Sequence, residues 1–161
     1  MIDSMPIHTL YLDTSVIGGY FDDEWSAATR ELWRQMEAGR FRFVTSRITM
    51  NEITLAPERV RELLAKTFPD ETILPTSDEA DRLAAAYIHQ GILPAKYIDD
   101  ATHVAICTVA EIEYLVSWNF RHLVNVDRKK GFTAVNLLQG YRNISIVNPL
   151  ELIYDHQDQK I

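Results

Sequence analysis

Residues 10–21 read LYLDTSVIGGYF, and this stretch decides how the rest of the chain is organised. An apolar run closes on Asp13, two hydroxyl residues follow, Thr14 and Ser15, and then a glycine pair, Gly18 and Gly19. An acid at the tip of a buried strand is costly unless something positive sits on it. A simple helix cap competes with that reading, since Asp, Ser and Thr all favour the first position before a helix. The glycine pair is open in the same way: it keeps a loop slim beside a substrate, or it marks an ordinary turn.

Outward from this stretch, strand-like and helix-like runs alternate. The first strand spans 8–12 (HTLYL), and 15–21 forms a short helical turn or loop. Ala28, Leu32, Trp33 and Met36 recur at helical spacing in 23–39, with Gly39 as the stop. Trp25, Trp33 and Met36 serve either core packing or a partner groove. A strand at 40–46 precedes a helix at 47–56 with Ile48, Glu52 and Leu55 on one side, and Pro57 opens a further helix through 68. A short strand at 71–76 leads to a helix at 79–91, for which Thr76 and Glu79 form a capping-box pattern. Residues 97–112 form an apolar helix with its acids in front, 114–118 (YLVSW) a buried strand, 131–141 another helix and 144–149 a closing strand. The polar tail, YDHQDQKI, frays. This order predicts an α/β sandwich with a mainly parallel sheet.

The composition bounds the function. The 161 residues fit one domain, with 47% hydrophobic and 24% charged residues. No window is apolar enough for a membrane span, and the N-terminus has no signal-peptide pattern. The single cysteine, Cys107, cannot form an internal disulfide and reads as buried filler, so a reducing cytoplasm is the simplest compartment. A net charge of −7 argues against a broad basic nucleic-acid surface and leaves room for local contacts. IGGYF is not a dinucleotide-binding glycine loop, and no Walker pattern occurs.

Open α/β sheets place their chemistry at the carboxyl ends of the strands. Asp13 and Asn119 follow two strands, Asp99 and Asp100 open the apolar helix, and Glu52 lies on the helix after the second strand. Each has a bland reading as a cap, a turn residue or a helix-dipole partner. Together, Asp13, Glu52, Asp100 and Asn119 are oxygen donors that suit Mg²⁺ or Mn²⁺. Asp99 is expected to serve the helix dipole beside Asp100. His103, three residues after Asp100, is either a hydrogen-bonded core residue or a neighbour of the acids. Lys96, Arg121 and His122 are candidate phosphate contacts against the alternative of a solvated face, as is the run 127–130 (DRKK).

The segments YLDTSVI, MNEI and DDATHVAICTVAEIEYLVSWNFRHL resemble a PIN domain, most of all the ribonuclease toxins of type II toxin–antitoxin pairs, the VapC-like proteins. The resemblance runs from the first strand to ISIVNPLEL. It implies a three-layer α/β/α sandwich over 1–161, with a flexible tail from about residue 153. It further implies a ribonuclease whose catalytic residues are Asp13, Glu52, Asp100 and Asn119, with divalent metal held on the three acids and Ser15, Asn119 and Asp99 as supports. Asn119 stands where the family often has a further Asp, which removes one negative charge and favours a single ion. RNA is the implied substrate, an antitoxin protein and a second copy the implied partners. A PIN fold without nuclease activity, acting as a binding or scaffold module, is the alternative. A haloacid-dehalogenase-type phosphatase would need an Asp at the position of Ser15.

Overall fold

The computed structural model describes residues 6–153. Among them the chain runs β1 (His8–Leu12), α1 (Thr14–Gly19), α2 (Ser26–Glu37), β2 (Phe41–Ser46), α3 (Arg47–Ile53), α4 (Glu58–Thr67), β3 (Ile73–Leu74) and α5 (Asp78–His89). It continues through α6 (Ile98–Val109), β4 (Tyr114–Val116), α7 (Val126–Leu138), β5 (Ser145–Val147) and α8 (Pro149–Ile153). The five strands form one parallel sheet in the order β3-β2-β1-β4-β5. β1 is central, so Leu10, Tyr11 and Leu12 are all fully buried, as both faces of a parallel sheet require.

Side chains alternate across each strand and thereby divide the core. Leu10, Leu12, Phe41, Phe43 and Val116 face a layer built from α1, α2, α4 and α8. Tyr11, Leu115 and Ile146 face the layer of α5, α6 and α7. α3 contributes Ile48 to the second layer and Ile53 to the first. The result is the expected three-layer α/β/α sandwich. No helix among the described residues is long and apolar enough to cross a membrane.

Several local expectations shift. α3 ends at Ile53, and the chain turns into Pro57, which cannot continue a helix; Leu55 is left 95% exposed rather than on the helix face. The cap of α5 is Ser77, whose hydroxyl accepts from the Ala80 amide, rather than Thr76. α7 starts at Val126 because the Asn125 side chain accepts from the Arg128 amide, so the DRKK run forms its first turns. Trp33 is buried and its indole donates to Thr67, and Trp25 stacks on Trp118 at 4.2 Å; both are packing residues here. Cys107 is fully buried and burial pushes its thiol up, which makes it inert. The tail YDHQDQKI lies outside the described residues.

The glycine pair divides into two roles. A Cβ on Gly19 would stand 2.8 Å from the Trp118 indole, whereas one on Gly18 would meet nothing within 4 Å. Gly19 therefore sets how closely α1 approaches the end of β4. Gly19→Ala is expected to destabilise the protein by about 1–3 kcal/mol, the usual cost of overpacking, while Gly18→Ala leaves stability within about 0.5 kcal/mol or raises it. Urea denaturation of the two variants beside the parent checks the contrast.

Candidate functional site

The strand order reverses at β1, so the carboxyl ends of the paired strands β1 and β4 form the switch point at which open α/β sheets place their ligands. Asp13 follows β1 there. Its amide donates to the Val116 carbonyl at 3.2 Å, which ties it to the end of β4. Its carboxylate caps α1 by accepting from the Val16 amide at 3.2 Å, so the capping role is real. The same oxygen accepts from the Ser15 hydroxyl at 2.6 Å, and the other accepts from the Ser117 hydroxyl at 2.6 Å. Asp13 is only 4% exposed, and no Lys or Arg pairs with it among the described residues. Burial raises its pKa, and the nearby His103 and the three donors oppose that rise without cancelling it.

The other acids reach the same edge from separate segments. Glu52, on α3, accepts from the Thr14 hydroxyl at 2.5 Å and from His103 Nε2 at 2.7 Å. Burial raises its pKa, but the bond and charge of His103, with the Thr14 bond, bring the net shift below the usual value. Asp100, in the first turn of α6, has His122 Nδ1 at 2.9 Å and the Asn119 amide nitrogen at 3.4 Å on one oxygen. Asn119 itself donates its backbone N–H to Ser117 and accepts from the His122 amide, both at 2.9 Å. Asp13, Ser117, Asn119 and Asp100 are thus joined in one hydrogen-bonded run. Ser15 adds a second tie, accepting from the Trp118 amide at 2.8 Å.

His103 is the buried centre of the group. Desolvation lowers its pKa, yet the bond to Glu52 and the charges of Asp13, Glu52 and Asp100 raise it overall. All three acids therefore act on one imidazole. Its Nδ1 lies 2.7 Å from the Tyr11 hydroxyl, which lies 2.6 Å from Ser46. The pair has a defined pH window. The Glu52 contribution is present above its ordinary 4.5 and lost as pH falls through its lowered folded value. The His103 contribution is present below 6.5 and lost as pH rises through its raised folded value.

The remaining candidates separate. Asp99 is exposed in the first turn of α6 and makes no side-chain hydrogen bond to the other site residues, in keeping with a helix-dipole role. His122 is 8% exposed and committed to Asp100, with its ring 3.8 Å from that of Tyr97. Lys96 is exposed with its ammonium 5.1 Å from the Tyr97 ring, so it flanks this stack. Arg121 is exposed on the adjoining turn.

The donor set fits a hard divalent cation in its chemistry: oxygens from four segments, one of them a buried carboxylate without a Lys or Arg partner among the described residues. As the side chains stand, no three His, Cys, Asp or Glu among the described residues share one coordination sphere. Glu52 and Asp100 each rest on a histidine instead.

No protein-family model matches the chain, and no curated protein does. Solved structures do. FitAcB from Neisseria gonorrhoeae matches at 17% identity over 89% of this chain and 99% of that one, with a TM-score of 0.56. VapBC2 from Rickettsia felis, bound to a DNA fragment from its promoter, matches at 12% identity over 87% and 98%, with a TM-score of 0.55. FitAB bound to an IR36 DNA fragment matches at 16% identity over 91% and 99%, with a TM-score of 0.56. The chain shares the PIN-like α/β/α fold of these structures.

Sequence reasoning on this PIN fold missed Tyr11, Ser46, Thr14 and Ser117. Two signals were available. Tyr11 puts a hydroxyl inside a fully buried strand, where it needs a partner, and Ser46 and Ser117 sit at strand ends level with Asp13. Which partner each finds depends on strand order, which spacing does not show. The buried charge of Asp13 has a thermal signature. Its folded pKa exceeds the ordinary 3.8, so the penalty grows as pH rises from 3.8 through the folded value. Asp13→Asn is expected to raise the Tm of the metal-free protein at neutral pH by roughly 2–4 °C, with the gap closing toward pH 4. Differential scanning calorimetry in chelator checks it.

Proposed function

We propose that the chain is a Mg²⁺- or Mn²⁺-dependent ribonuclease that hydrolyses RNA phosphodiester bonds, and the toxin of a toxin–antitoxin pair. The observation that carries the reading is Asp13: a carboxylate kept buried, against its own desolvation, at the carboxyl ends of β1 and β4. Structure favours that expense where a cation or a reaction needs the charge. The likeness to FitAB and VapBC complexes supports an antitoxin partner.

Asp13 and Asp100 would hold the ion, with Glu52 reaching it through water. When bound, the cation supplies charge for the phosphoryl oxygens and acidifies water. The chain's own groups prepare that site. Ser15 and Ser117 fix both oxygens of Asp13, so its orientation is set before anything binds. His103 holds Glu52 in its ionised form, ready to orient an attacking water. Asn119 and His122 fix Asp100 from one side. Lys96 and Arg121 are the nearby cations for the phosphate chain. No side-chain nucleophile is required. The resemblance also carries a homodimer, which light scattering in solution tests.

A PIN fold that binds without cutting is the second reading. It is favoured by the neutral Asn119 and by the histidine pairing of Glu52 and Asp100. A cleavage assay on total RNA separates the two. The ribonuclease reading expects cleavage with Mg²⁺ or Mn²⁺, none with chelator, and loss of detectable cleavage in Asp13→Asn and Asp100→Asn. Ser117→Ala, which frees one oxygen of Asp13, is expected to cost about ten- to a hundredfold in rate. Folded wild-type protein that leaves RNA intact with either metal establishes the binding module.

A further inference from the structure

One buried hydroxyl on β1 has no part in holding metal or phosphate. Tyr11 is fully buried in the central strand, and its ring packs in the layer of α5, α6 and α7. A phenylalanine would supply the same apolar surface, so the hydroxyl needs its own account. It lies 2.7 Å from His103 Nδ1 and 2.6 Å from the Ser46 hydroxyl. Burial pushes the phenol pKa up, so the group keeps its proton. Ser46 stands at the cap position of α3, where a serine oxygen ordinarily accepts from a helix amide. Here it makes no capping bond and meets Tyr11 instead. Both ring nitrogens of His103 are committed, Nδ1 to Tyr11 and Nε2 to Glu52 Oε1 at 2.7 Å. Ionised Glu52 only accepts, so Nε2 carries the hydrogen of that bond. Thr14 donates to the same Oε1 at 2.5 Å. Two donors thus converge on one oxygen of Glu52, and Oε2 accepts no hydrogen bond among the described residues.

We propose that Tyr11 and Ser46 are positioning residues: they lock the His103 ring so that its Nε2–H fixes Oε1 of Glu52 and leaves Oε2 free to orient the attacking water. The inference rests on the ribonuclease reading and deepens it. A ring held at one nitrogen turns about its bond to Cβ. A ring held at both turns only by leaving a buried polar atom unpaired, which is costly. A phenol both donates and accepts, so Tyr11 satisfies Nδ1 whether or not that nitrogen carries a hydrogen. The side chains run from the end of β2 through β1 and α6 to α3, so the placement of Glu52 is tied to the sheet and not to α3 alone. A second buried phenol shows the purely structural alternative. Tyr87 is also fully buried, and its hydroxyl donates to Asn136, whose amide donates to Thr108. That network links α5, α7 and α6 and ends on none of the site acids. What sets Tyr11 apart is the group on which its network ends.

The test compares Tyr11→Phe, which removes only the hydroxyl, with Tyr87→Phe in the full-length protein. In RNA cleavage with Mn²⁺, Tyr11→Phe is expected to lower kcat about tenfold and to change KM less than about twofold, the scale of support lost behind a site ligand. Tyr87→Phe keeps the wild-type kcat. The side-chain amide of His103→Gln donates to Glu52 without needing Tyr11, so adding Tyr11→Phe to that variant lowers kcat further by less than about twofold. A second readout needs neither metal nor RNA. In metal-free protein labelled with ¹⁵N-histidine, long-range ¹H–¹⁵N spectra are expected to show the His103 Nδ1 signal displaced by Tyr11→Phe and unmoved by Tyr87→Phe. Should Tyr11→Phe not fold, Ser46→Ala decides: a loss in kcat of about threefold or more at unchanged KM is expected, and the wild-type kcat overturns the proposal. It is also overturned if folded Tyr11→Phe cleaves with the wild-type kcat or leaves the His103 Nδ1 signal in place, or if Tyr87→Phe loses as much kcat as Tyr11→Phe. An undiminished effect of Tyr11→Phe in the His103→Gln variant overturns it too. Failure here is separable from failure of the ribonuclease reading, in which the wild-type protein cleaves no RNA with either metal.

Discussion

A buried carboxylate with no Lys or Arg paired to it among the described residues organises the carboxyl edge of this sheet. Asp13 is buried, accepts from Ser15, Ser117 and the Val16 amide, and ties the end of β1 to the end of β4. Each of those contacts is local and each fixes a different element: α1 through its cap, β4 through Ser117, and the following turn through the Ser117 bond to Asn119. Burial raises its pKa, and His103 with the hydrogen bonds offsets that rise without cancelling it. A fold selected for stability alone would place a neutral residue there. Asp13 therefore connects the architecture to the proposed chemistry.

Around it the polar groups divide into two histidine-centred halves. On the α3 side, Ser46, Tyr11 and His103 form a buried chain that ends on Glu52. On the α6 side, Tyr97 backs His122, which rests on Asp100. Both halves hold an acid at a defined position without a fixed positive charge from Lys or Arg. Imidazoles hold a carboxylate more weakly than a guanidinium would, and they release it when a stronger cation arrives. The arrangement suits carboxylates that are to be shared with a divalent ion. It also accounts for the absence of a preformed three-ligand cluster among the described residues.

Much of this was legible in the sequence. The alternation of strand and helix runs, the abrupt end of an apolar strand on Asp13, and the acids opening an apolar helix at Asp99 and Asp100 pointed to a parallel sheet with chemistry at its carboxyl edge. The illegible parts were those set by three-dimensional neighbours. Leu55 matched the helical period but lay past the last turn that Pro57 allows. Ser77 and Thr76 are equally good caps by type, and backbone geometry chose Ser77. His122 looked like a free phosphate contact because Asp100 is remote in sequence and adjacent only through the turn after β4. His103 was open between a core residue and a site residue, and it is placed as both. The glycine pair needed coordinates too, since only the position of Trp118 distinguishes Gly19 from Gly18.

The central claim is that Asp13 and Asp100, far apart in the chain, share one divalent cation. Anomalous scattering from crystals of the wild-type protein soaked in Mn²⁺ addresses it most directly. The account predicts a single strong peak within coordination distance of carboxylate oxygens of both residues, which disappears in Asp13→Asn crystals. A map with no peak between those two side chains, in crystals where manganese is bound elsewhere on the protein, contradicts it.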